Sequence, residues 1–263
     1  TVKFTVKFIA GLTIAKLIAV SASAYILPLD VILSKTAEQV AGSIISVEQN
    51  IIFKEGGEEY TVKEQWLIEG DKNLKLTAPG VGALKDSVNL HYLYNNKKRT
   101  QIIGKNKVVQ EVTHEFFEKF LAIKSADSYR AYLKELNISP QVRLSRASGA
   151  ISFAIGTPST ASALSPQIWI DQDFFCLNKI RFPTEADVEF SNYQEHGDVY
   201  YPNTKVVSWA GNTAVIKVNR VSTKTGSSIK NFYPETLETP SEILVSSKGA
   251  VGQKIEEFYK RFR

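Results

Sequence analysis

Cysteine, histidine and methionine are scarce in this chain, which has 263 residues but only one Cys, three His and no Met. The single cysteine, Cys176, excludes an intrachain disulfide framework and is typical of a small apolar residue in a strand. His91, His114 and His196 lie far apart and lack the spacing of zinc ligands, and the polar residues around His196 predict a turn. There is also no Gly-x-Ser-x-Gly motif. We therefore expect no cofactor, no metal site and no enzyme, although carboxylates that pair only in the fold leave a secreted hydrolase as the least favoured alternative.

The chain also has only a small net charge. The formal net charge is +5, and the first 24 residues contain three Lys and no Asp or Glu. Subtracting those three charges leaves +2. The other basic residues are interspersed with acidic ones, and the short run at 97–99 lies in a predicted turn. This distribution argues against nucleic-acid binding.

The first two dozen residues are typical of a secretory signal peptide. A basic start leads into an apolar stretch at 8–20 and then into small residues at 21–24, which predicts cleavage after Ala24. The stretch is too short to cross about 30 Å of hydrocarbon, and Lys16 lies within it. No Cys stands at the predicted cleavage site to carry a lipid anchor. The pattern predicts an exported, soluble protein.

The spacing of apolar residues changes along the rest of the chain. At about 28–41 they recur on one helical face, with Pro28 near the start and Gly42 beyond the end. From Ser43 the period is two, and turn residues such as those at 55–58 separate successive strands. Consecutive hairpins of this kind build an antiparallel sheet with one solvated face.

Helical patterns interrupt the strands. An insert at about 111–138 contains two of them, with Thr113 and Ser125 as predicted N-caps. Another follows near the end of the chain, with apolar residues on one side. The predicted fold is therefore α+β, a large curved antiparallel sheet forming an open half-barrel capped by a few helices. We divide the chain into a signal peptide at 1–24, the half-barrel domain at 25–240 and a C-terminal amphipathic helix at 241–263.

The predicted sheet has more apolar area on one face than can remain in water, at roughly 25 cal/mol per Å². A sheet rolled around an apolar cavity, with the helices as a lid, would hide that face, and a fully packed core is the alternative. Gln49 and Glu64 fall on faces that are otherwise apolar. Polar groups there need partners, so they either belong to a cavity wall or are turned outward by a bulge. The predicted apolar wall consists of Phe53, Trp66, Leu76, Tyr92, Phe153 and Phe182.

Several short segments resemble, in order and spacing, the LolA-type superfamily of periplasmic lipoprotein carriers and sorting proteins, whose relatives include RseB-type envelope sensors. The likeness covers about residues 28–235. The segments are SVEQ at 46–49, WLIEG at 66–70 with LKL at 74–76, IWID at 168–171, LNKI at 177–180, VEFSNY at 188–193 and YP at 201–202.

The resemblance implies an incomplete barrel, capped by helices, whose hollow takes up acyl chains. We accordingly expect a periplasmic carrier of lipid or lipoprotein acyl chains, acting in transport or sorting toward the outer membrane. Phe116, Phe117 and Phe120 are the expected lid residues. An envelope sensor or scaffold that binds a protein partner at a sheet edge or apolar groove is the alternative. The C-terminal helix would dock over the cavity or make transient contact with an anionic membrane surface.

Overall fold

The part of the chain that the computed structural model describes comprises residues 26–40, 44–224, 226, 229–245 and 248–263. The predicted signal peptide and its cleavage site lie outside the described residues. No helix in these ranges is long and apolar enough to cross a membrane.

A single antiparallel sheet dominates the structure and does not close into a barrel. The predicted fold class is confirmed. The strands are β1 Ile44–Glu55, β2 Glu58–Glu69, β3 Asn73–Val81, β4 Val88–Asn95, β5 Lys98–Ile103, β6 Asn106–Glu111, β7 Val142–Ala147, β8 Ala150–Ile155, β9 Gln167–Asp171, β10 Leu177–Arg181, β11 Asp187–His196, β12 Val199–Trp209, β13 Asn212–Lys224 and β14 Glu242–Ile243.

The order of the strands places the two free edges of the sheet at opposite ends. One meander runs from β1 to β6 and another from β7 to β13, and β1 pairs with β13 to join them. β6 and β7 are therefore the edges, and β14 adds a short pairing to β4. Because β6 and β7 are consecutive in the chain, the segment between them connects the two free edges. Phe116, Phe117 and Phe120 of this segment are buried in one apolar cluster with residues of the strands, which places the helical insert against the sheet.

Three α-helices accompany the sheet in the described residues: α1 at Leu29–Glu38, α2 at Ala126–Glu135 and α3 at Gly249–Phe262. The helix predicted at 28–41 is present but shorter. Ser125 caps α2 as predicted, since its hydroxyl accepts a hydrogen bond from the Ser128 amide at 3.2 Å. The insert also contains a short 3-10 helix at Glu118–Ala122.

The first helix predicted in the insert, with Thr113 as its N-cap, is not present as an α-helix. His114 and Glu115 form a turn, the residues on either side of it have no regular secondary structure, and the 3-10 helix follows. The Thr113 hydroxyl donates to the Arg261 carbonyl instead of capping a helix. Burial of consecutive aromatic side chains on both sides of this segment outweighs the helical spacing, because tertiary packing overrides weak local propensity.

The helix α3 lies against the inner face of the sheet. Its buried residues include Val251, Ile255, Phe258, Tyr259 and Phe262. The Phe258 ring packs edge-on against Phe53 of β1, with centroids 5.4 Å apart, and Phe262 packs against Trp209 of β12 at the same distance. The chain therefore covers the inside of its own half-barrel with a helix from its far end.

Close seating of α3 depends on Gly252. A Cβ atom at this position would lie 1.9 Å from the Val245 carbonyl oxygen, far inside contact distance. In an unhindered helix interior, alanine is favoured over glycine by about 1 kcal/mol. The contact with Val245 should reverse that preference.

We expect Gly252→Ala to lower the free energy of unfolding by about 1–3 kcal/mol, because the added methyl group must push α3 off the Val245 carbonyl. Urea unfolding measures the change. Gln253→Ala, on the exposed side of the same turn, is the matched control and should stay within about 0.5 kcal/mol. A stabilising Gly252→Ala would contradict the seating of α3.

Candidate functional site

The predicted wall and lid residues come together in one buried apolar cluster on the inner side of the sheet, which we call the hollow. Whether they bind ligand stays a prediction. The cluster includes Phe53, Trp66, Leu76, Tyr92, Phe116, Phe117, Phe120, Phe153 and Phe182.

Aromatic contacts anchor the lid segment, by which we mean residues 113–122, in the hollow. Phe116 stacks in parallel on Tyr94 of β4, with ring centroids 4.5 Å apart, and also lies 5.9 Å from Trp66 of β2. Phe117 approaches Phe262 of α3 at 6.4 Å. The lid therefore contacts both the sheet and α3.

Little empty space remains where the lid approaches α1 and β11. The gap bordered by α1, Leu121, Tyr129 and Tyr193 has a volume of about 20 Å³, which is room for roughly one water molecule. The apolar surface that an acyl chain would contact is instead covered by α3 and the lid. The protein itself thus fills this part of the hollow.

Gln49 and Glu64, the polar residues singled out on the apolar faces, are fully buried in the hollow. They face each other in register on β1 and β2, and Gln49 Nε2 donates to Glu64 Oε2 at 2.7 Å. The Trp66 indole N–H donates to the same oxygen at 2.9 Å. A register shift does occur in β1 beside Gln49, against β13, but it does not turn the side chain outward.

Two buried cations complete the set. Lys205 Nζ of β12 donates to both carboxylate oxygens of Glu118, at 2.8 and 2.9 Å, and to Gln49 Oε1 at 2.9 Å. Arg263 donates from Nε and Nη2 to the two oxygens of Glu64, at 2.8 and 3.1 Å, and reaches Glu118 at 3.3 Å. We call this set the buried polar cluster: Gln49, Glu64, Glu118, Tyr201, Lys205 and Arg263.

The charges of the buried polar cluster balance, with two carboxylates against one lysine and one arginine, each without solvent exposure. Burial raises the pKa of Glu118, but Lys205 and Arg263 outweigh it and the net shift is downward. For Arg263, burial disfavours the charge, but Glu64 and Glu118 raise the pKa overall. A depressed carboxyl pKa means that this contribution to stability is present above the unfolded-state pKa and is lost as the pH falls through the folded-state value.

The last turn of α3 ties the lid to the sheet. Arg261 makes two hydrogen bonds to Glu115 of the lid, at 2.7 and 2.8 Å, while Arg263 joins Glu64 of β2 to Glu118. We call the Arg261 and Arg263 contacts the latch. Arg99 of β5 also donates to the carbonyls of Tyr259 and Arg263. Release of α3 would therefore remove part of what holds the lid.

Sequence reasoning found Gln49 and Glu64 but missed Glu118, Lys205 and Arg263. A signal existed for Lys205, which has the same parity in β12 as the buried Tyr201, Val207 and Trp209. No local pattern shows that it meets Glu118, which is 87 residues away in sequence.

We expect Lys205→Met and Glu118→Gln each to lower the free energy of unfolding by about 3–5 kcal/mol, because each leaves an uncompensated buried charge. The double variant should cost less than the sum, which a urea double-mutant cycle measures. The exposed pair Lys54 and Glu59, 2.8 Å apart, is the control, with an expected coupling of about 0–1 kcal/mol. Small and additive effects in the cluster would contradict the buried network.

No protein family model matches this chain, and no curated protein does either. Two solved structures are similar in fold. A LolA superfamily protein from Nitrosomonas europaea matches with a TM-score of 0.58 and 12% identity, over 81% of this chain and 100% of that one. A domain from Vibrio parahaemolyticus named as an outer membrane lipoprotein-sorting protein matches with a TM-score of 0.52 and 13% identity, over 78% of this chain and 96% of that one. The resemblance predicted from sequence is confirmed for the fold: the chain has the LolA-type half-barrel.

Proposed function

We propose that this protein is a carrier that takes up an apolar chain, such as the acyl chain of a lipid or lipoprotein, in the hollow that α3 fills. The observation that carries the proposal is the nature of the occupant. An amphipathic helix places Phe258 and Phe262 against Phe53 and Trp209, on the inner wall of a LolA-type half-barrel. In the acceptor state, an acyl chain replaces the apolar side of that helix.

Opposing free-energy terms set the outcome of this exchange. Each acyl methylene that leaves water contributes about 0.8 kcal/mol, so about a dozen methylenes contribute roughly 10 kcal/mol. Displacement of α3 costs the burial of its aromatic side chains and the latch, offset by regained conformational entropy. A carrier needs α3 and the acyl chain to bind the same wall with comparable affinity, because it must both bind and release its cargo.

The latch supplies a means of opening. Since Arg261 and Arg263 hold lid carboxylates at Glu115 and Glu118, departure of α3 removes these contacts and loosens the lid. The predicted wall and lid residues would then line an accessible apolar cavity. Together with the predicted signal peptide and the lipoprotein-sorting name of one structural neighbour, this supports a periplasmic role in transport or sorting toward the outer membrane.

A second candidate is an envelope sensor whose hollow receives a helix from a protein partner. The observation that favours it is that the occupant is a polypeptide helix, followed by an arginine that is paired with two carboxylates. Helix-in-groove recognition uses the same apolar spacing that α3 presents. The two candidates differ in whether an acyl chain or an amphipathic helix displaces α3.

We expect Arg261→Gln to increase the affinity for a fluorescent fatty-acid analogue about 5- to 10-fold, as measured by fluorescence titration. The substitution removes the partly exposed half of the latch, shifts the population toward the open state and leaves the buried polar cluster intact. Arg181→Gln is the matched control, because Arg181 forms a similarly buried two-point ion pair with Asp187, at 2.7 Å, that does not involve α3 or the lid. That variant should bind like the wild type.

Competition then separates the two candidates. A synthetic peptide of residues 249–263 should displace the fatty-acid analogue from Arg261→Gln if both occupy the hollow. Peptide binding without any fatty-acid binding would favour the sensor. If neither binds to the wild type or to Arg261→Gln, the carrier proposal fails.

A further inference from the structure

Lys119 is a buried cation that takes no part in the buried polar cluster. It follows Glu118 in the 3-10 helix, and only 8% of its surface is exposed. Its Nζ lies 4.1 Å from the centre of the Tyr132 ring and 5.5 Å from that of Phe120. Within the described part of the chain, no oxygen accepts a hydrogen bond from it. The ammonium group is therefore held by cation–π contacts with two aromatic rings, whereas a buried lysine is usually paired with a carboxylate.

The charged state of Lys119 is correspondingly disfavoured. Burial lowers the pKa of its amine to about 8, and nearby Lys97 lowers it further, while Glu135 and Asp71 offset part of the effect. A buried charge without an ionic partner destabilises a fold. Perturbed groups of this kind cluster at functional sites.

Lys119 borders a pocket of about 310 Å³ between the lid, the β4–β5 turn and α2, which we call the Lys119 pocket. Asn96, Lys97 and His114 also line it and supply further donors. A neighbouring cleft of about 750 Å³ shares Asn96 and Lys97 and adds Lys72.

Two lysines and two glutamates line the pocket, and one of the glutamates is held by a lysine. Glu135 forms an ion pair with Lys97. Glu111 is exposed and lies opposite Lys98 in the β5–β6 register. Among the described lining residues, Lys119 is therefore the lysine without an ionic partner, and the side chains of Asn96 and His114 lie in the same pocket.

We propose that the Lys119 pocket binds an anionic phosphate group, with the Lys119 ammonium as its buried charge partner and Asn96, Lys97 and His114 as further donors. Lysine serves as a point charge toward phosphate, and donors on several sides suit a tetrahedral anion better than a planar one. The pocket is large enough for a phosphate with a glycerol-sized substituent. Both a phospholipid headgroup and free phosphate offer this chemistry, and the pocket does not depend on whether the hollow carries an acyl chain.

The test is NMR of protein labelled with ¹³C at lysine, with the Lys119 Cε signal assigned from Lys119→Gln. We expect inorganic phosphate, or dihexanoylphosphatidylglycerol below its micelle concentration, to shift that signal saturably and to raise the pKa of Lys119 by about one unit. A response to both probes assigns the site to the phosphate group itself, and a response to the phospholipid alone assigns it to a lipid headgroup. No saturable shift with either probe overturns the proposal.

Calorimetric titration of variants supplies the second readout. Lys119→Gln should weaken binding at least 10-fold, while Lys119→Arg should retain most of it. Lys105→Gln, which alters an exposed lysine in the β5–β6 turn, is the matched control and should bind like the wild type. Equal binding by Lys119→Gln and the wild type would also overturn the proposal. If Lys119→Gln fails to fold, Lys119→Arg assigns the wild-type Lys119 signal instead, and that signal still decides.

Discussion

The inner face of the open sheet must be covered, and the rest of the structure depends on how this is done. A closed barrel would bury that face by itself, but here β6 and β7 remain apart and leave one side open. Leaving this apolar face in water would cost roughly 25 cal/mol per Å², and over a whole sheet face that free energy is comparable to the stability of a typical domain. The lid between the two edges and the helix α3 together provide the cover. Their apolar side chains are therefore as much a part of the core as those of the strands.

The buried polar cluster gives this cover a defined position. Apolar contacts alone would tolerate several placements of α3 along the hollow, whereas Arg263 must meet Glu64 and Glu118. Since the charges sum to zero only when β2, β12, the lid and α3 are all in place, the cluster couples these elements. The same arrangement couples opening to the lid, because α3 cannot leave without breaking the contacts of Arg261 and Arg263 with it.

Much of the fold could be predicted from sequence, because alternation and turn chemistry are local. They predicted the meanders, the first helix, the Ser125 cap and the burial of Gln49 and Glu64 as one of two possibilities. The partners of those two residues could not be predicted, since Glu118, Lys205 and Arg263 come from distant segments. The N-cap predicted at Thr113 was wrong for a related reason. Its hydroxyl donates a hydrogen bond to the Arg261 carbonyl, a contact that the local sequence does not indicate.

The most direct test of α3 as an exchangeable occupant is hydrogen–deuterium exchange with and without saturating palmitate, with occupancy checked by native mass spectrometry. If palmitate replaces α3, the amides of 251–262 should exchange faster in the complex, while those of β1 and β2 stay at least as protected. If the palmitate-bound protein instead keeps α3 as protected as the ligand-free protein, the helix is a permanent part of the core and the hollow is not the site of a carrier.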